Sequence, residues 1–139
     1  MSQSDHDMSV SQSMHDRLRA LHRGFLRLHK LLLDAERALY EQEHGSVSNG
    51  EMLQLLLGNE HFAWLRTLSG FIIRIDEVMD AREGVSASAA QMLLIEAGKL
   101  LQPEENQSEF ASRFRLALDR EPSAVAVRNE LLSVLGACA

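Results

Sequence analysis

Met14, Leu18, Leu21, Phe25, Leu28, Leu32, Ala35 and Leu39 follow one another at alternating steps of four and three residues. That spacing lays eight apolar side chains along one stripe of an α-helix and fits no β-strand, whose faces alternate every second residue. It predicts a long amphipathic helix over about residues 14–43, with Gly45 placed to stop it. A second run, His61, Leu65, Leu68, Ile72, Ile75 and Met79, keeps the same rhythm, and Trp64, Phe71 and Val78 add a stripe beside it. An apolar face that wide needs more than one neighbour, so this helix is expected in the middle of a bundle.

Local signals divide the rest. Ser48 and Glu51 have the spacing of a capping box and open a short helix over 51–57, closed by Gly58. Asn59 can cap the helix that follows, and Glu83-Gly84 ends it. Ser86 or Ser88 starts a fourth helix carrying Ala90, Leu93, Leu94, Ala97, Leu100 and Leu101. Pro103 opens a polar linker through Gln107. A fifth helix spans about 108–120 with Phe110, Phe114 and Leu118, and a sixth follows Pro122 with Val127, Leu131 and Val134 inward. The expectation is an all-α protein: one bundle of five to six helices over residues 14–136, built on the long first helix and the third. Residues 1–13, rich in Ser, Gln and Asp, are expected to form a disordered tail.

Fourteen Lys and Arg stand against twenty Asp and Glu, for a net charge of −6. Such a chain repels nucleic acid unless its cations gather on one face. Arg17, Arg19, Arg23, Arg27 and Lys30 do cluster. Yet Lys30–Asp34 and Arg37–Glu41 are four apart, the pattern of a solvated helix face rather than a phosphate-binding one. No apolar run reaches the ~18 residues of a membrane span. The single cysteine, Cys138, excludes an internal disulfide framework and a multi-cysteine zinc site, and fits a reducing cytoplasm.

Histidines supply the candidate chemistry. His15, His22 and His29 recur every seven residues, and Glu36 and Glu43 continue the series. His22 and His29 fall inside the apolar arc of the first helix, a half-buried setting for a side chain that titrates near neutral pH. Seven residues advance a helix by ~10.5 Å, so the stripe cannot hold one metal ion by itself. A shared site would need other helices, with His61, Asp76 and Glu96 as contributors. Asp76, beside the inward Ile75, calls for a partner, expected to be an Arg or His of the first helix. His22, His29, His61 and Asp76 are the candidate ligand-binding residues. No catalytic residue, metal or cofactor is assigned, since neither a Gly-x-Ser-x-Gly elbow nor a Gly-rich phosphate loop occurs.

The stretch Glu60-His61-Phe62-Ala63-Trp64-Leu65-Arg66-Thr67-Leu68-Ser69, followed by Ile72, Ile75 and Asp76, resembles a family of small bacterial all-helical proteins with no known activity. The resemblance covers about Leu26 to Leu135 and implies a bacterial, cytoplasmic, all-helical protein. The function expected is a non-enzymatic interaction or regulatory module, with a small-ligand or metal-binding bundle as the competing reading. Leu26, Leu33 and Tyr40 form a second apolar line on the first helix, and Leu31 and Ala38 widen its other flank. A homodimer through that helix is expected, without nucleic-acid or membrane partners.

Overall fold

Helix α1, Ser2–His44, is the spine of the fold. The middle of its stripe is spent inward: Leu18, Leu21, Phe25, Leu28 and Leu32 are each fully buried, while Met14, Ala35 and Leu39 at the two ends are half-buried. The structure is a computed structural model that describes residues 2–105 and 107–136, with side chains described from residue 12 onward except at 105. Helix α1 starts well before the apolar stripe, at Ser2 rather than near Met14, because no Gly or Pro stands in the way. Cys138 and, in the linker, Asn106 lie outside the described residues.

Gly45, at φ +85°, ends α1 in the left-handed region that glycine enters without strain. The connection that follows is clamped from α1. Arg37 donates to the Val47 carbonyl and, at 3.3 Å, to Asn49 Oδ1, while Val47 N–H donates to Glu41 at 2.8 Å. The pair expected on a solvated face, Arg37–Glu41 at 3.8 Å, thus also fixes the first turn and seats Val47 in the core.

Helix α2, Asn49–Gly58, begins as the capping signal predicts. Glu51 N–H donates to Ser48 Oγ at 3.2 Å, and the Ser48 hydroxyl lies 3.1 Å from Glu51 Oε1. Asn59 then caps a 3-10 turn, Glu60–Phe62, by accepting the His61 N–H at 2.8 Å. Helix α3 therefore spans only Leu65–Met79, later than the spacing alone predicts, with Trp64 at its N-cap. Its apolar face is buried as expected, Trp64 and Ile72 nearly so and Leu68 and Ile75 completely.

Ser86 caps α4, Ala87–Leu101, by accepting Ala89 N–H. A second 3-10 turn, Pro103–Glu105, leads to α5, Glu109–Arg120, capped by Ser108. Pro122 itself is the first residue of α6, Pro122–Gly136, where its missing N–H costs nothing. The described residues contain six helices and no strand.

Helix α1 lies between α3 and α6 and also reaches α4, and α3 packs mainly against it. Against α3 the two helices run antiparallel, with Phe25 and Phe71 edge to face at 5.0 Å between ring centres. Against α6 the approach is closer. A Cβ at Gly24 would stand 2.3 Å from Leu131 Cδ2, so only glycine admits that side chain. The Arg27–Glu130 ion pair, 2.8 Å, flanks the contact.

Candidate functional site

The four candidate side chains do not gather in one cluster. His22 Nε2 lies 3.0 Å from Asp76 Oδ1, which answers the expectation of a partner for Asp76 on the first helix. His61 Nε2 lies 2.7 Å from Glu36 Oε2. Both ring nitrogens are buried and in contact range of the carboxylate without hydrogen-bond alignment. The two pairs are fourteen residues apart on α1, ~21 Å. They clamp opposite ends of the antiparallel contact between α1 and the segment from His61 to Asp76.

His29 sits between them on the same stripe, with no ion pair or hydrogen bond among the described residues. Burial strips its imidazole of water and holds its pKa below the ordinary histidine value, which keeps it neutral at physiological pH. Glu36 was not among the candidates, although it continues the seven-residue histidine series. It is only 5 % exposed, a buried carboxylate that requires a partner. The His61 ring that meets it stands edge to face with Phe62 at 4.9 Å and 6.0 Å from the Tyr40 ring. On its other side Glu36 lines a small cavity, of about 160 Å³, together with Gln42, Arg120 and Glu121.

No group of three or more His, Cys, Asp or Glu side chains comes within reach of a common metal ion among the described residues. Glu96, the remaining contributor considered for such a site, pairs with Arg74. Within the basic run of α1, Arg27 meets Glu130 and Lys30 meets Asp34 at 3.3 Å. These cations are therefore partly compensated within the chain. No helix among the described residues is long and apolar enough to cross a membrane.

The apolar surplus of α1 is largely used internally. Leu31, Leu33 and Tyr40 pack against the core, and Leu26 remains 47 % exposed. Other large apolar side chains stand in solvent: Leu53 and Leu57 on α2, Ile73 on α3, Met92 and Ile95 on α4, and Leu116 on α5.

Fold and side-chain arrangement together define an all-α, six-helix bundle clamped by histidine–carboxylate contacts. Compared with protein-family models, curated proteins and solved structures, the chain matches none of them.

Proposed function

We propose that this protein is a non-enzymatic interaction module that self-associates through exposed apolar helix faces, and that it works in the bacterial cytoplasm. The observation that carries this reading is the contrast between interior and surface. Two interior histidines, His22 and His61, each meet a carboxylate as a clamp, whereas Met92 and Ile95 stand exposed three residues apart on one face of α4 and line a common groove. Exposed apolar side chains that cluster mark contact surfaces. Sedimentation equilibrium of the purified chain tests it. An assembly heavier than the 15.6 kDa protomer at micromolar concentration is expected, and a strict monomer overturns the reading.

A second reading draws on the cavity beside Glu36: a small cationic ligand could neutralise that carboxylate in place of His61. Melting-temperature shifts with simple amines and divalent cations test it. A shift lost in Glu36→Gln supports it, and no shift ends it.

A further inference from the structure

We infer that the outer face of α3 and α4 docks onto the same face of a second copy of this chain, an inference that rests on the interaction reading above. On α3 the exposed residues Gly70, Ile73 and Glu77, with Asp80 just past its end, follow at steps of three and four, and on α4 so do Met92, Ile95 and Lys99. Each set is one stripe of its helix, pointing away from the core. Met92 and Ile95 on α4 are 71 and 51 % exposed and line one groove, so the α4 side of the face is apolar and uncovered, while Ile73, 55 % exposed, stands on the far flank of α3. A groove lined by Met92, Ile95 and Lys99 runs beside the Arg74–Glu96 contact that joins the two helices.

Charge then selects the occupant. A short connection makes α3 and α4 antiparallel neighbours. With the Arg74–Glu96 contact as the level mark, Lys99 lies beside Phe71, toward the start of α3. Glu77 and Asp80 lie toward its end, ~9 Å or more away along the axis. Lys99, Glu77 and Asp80 have no ion-pair partner among the described residues. The face is thus basic at one end, apolar in the middle and acidic at the other. A partner of one charge sign would match only one end. A second copy, turned by a two-fold axis through the middle, matches both: Lys99 of each copy meets Glu77 and Asp80 of the other. Gly70, with open space around its Cβ position, leaves room for close approach.

Sedimentation equilibrium on the full chain and five variants tests this. Ile95→Asp and Lys99→Glu should each weaken self-association by roughly tenfold or more, while Leu26→Asp on α1 should leave it unchanged. Glu77→Lys with Asp80→Lys should also weaken it. Adding Lys99→Glu to that double variant should restore it, a recovery that a merely misfolded variant cannot show. If Leu26→Asp dissociates the assembly and Ile95→Asp does not, the interface is on α1, so this inference falls and the interaction reading stands. Failure of the combined charge reversal to restore association overturns the proposed pairing. A wild type that stays monomeric overturns both.

Discussion

Glu36 of α1 and His61 of the 3-10 turn meet at 2.7 Å with the carboxylate 5 % exposed, so one end of the α1–α3 contact is held by a buried charge and the ring that covers it. Removing either partner is therefore unequal. His61→Ala leaves a buried carboxylate without its partner and should cost about 3 kcal/mol. Glu36→Gln removes the charge together with the need to compensate it, and should cost about 1 kcal/mol. Urea unfolding of both variants checks the order, and a costlier Glu36→Gln would contradict it.

The contact between Gly24 and Leu131 makes a signed prediction. Alanine is favoured over glycine inside a helix by about 1 kcal/mol. Here its methyl would overlap Leu131, and overpacking costs about 1–3 kcal/mol. Gly24→Ala should therefore destabilise wild type, yet stabilise a Leu131→Ala background in which the space is empty. A double-mutant cycle by chemical denaturation reads the sign change.

His29 predicts a pH dependence. Its folded pKa is lowered by burial, so the unfolded chain, near 6.5, takes up the proton first. The stability is complete above about pH 7 and is lost as pH falls from ~6.5 toward the lowered folded value. The difference in melting temperature between wild type and His29→Gln should shift against wild type over that window, and stay constant above it. A difference that does not change with pH would refute the assignment.

Leu68 is fully buried on α3. Leu68→Ala should cost about 2–5 kcal/mol through the cavity it leaves. A loss below ~1 kcal/mol, measured by thermal or urea unfolding, would show that the surroundings collapse to fill it.

Gln12 and Ser13 are exposed on α1, whereas Met14 packs against the core. Deleting residues 1–13 should consequently shift the melting temperature by no more than about 2 °C. A larger drop would mean that the segment contributes contacts.

Much of the fold could be read in advance because its signals are local. The four-and-three stripe of α1, the caps at Ser48 and Ser86, and Pro122 at the head of α6 each depend on neighbours within one or two turns. The late start of α3 was less legible, because the Asn59 side chain binds the His61 N–H and favours a tight turn over continuous helix. The arrangement of the candidate residues was hidden for a different reason. Which residue of α1 faces which of α3 depends on antiparallel register, and neither stripe alone contains it. Register sends His22 to Asp76 and Glu36 to His61, separating side chains that spacing had grouped. The role of α6 left one trace, a glycine on a helix otherwise rich in helix formers.

That glycine also bears on how the chain comes to be folded in a cell. Leu131 and Glu130 close onto Gly24 and Arg27 from more than a hundred positions downstream. During synthesis α1 is made before α6, and part of its apolar stripe stays open until α6 has been translated. Local helix formation can run ahead on the ribosome, but burial of the spine waits for a late, long-range closure. Until α6 is made, the part of the α1 stripe around Gly24 that Leu131 covers stays open to solvent.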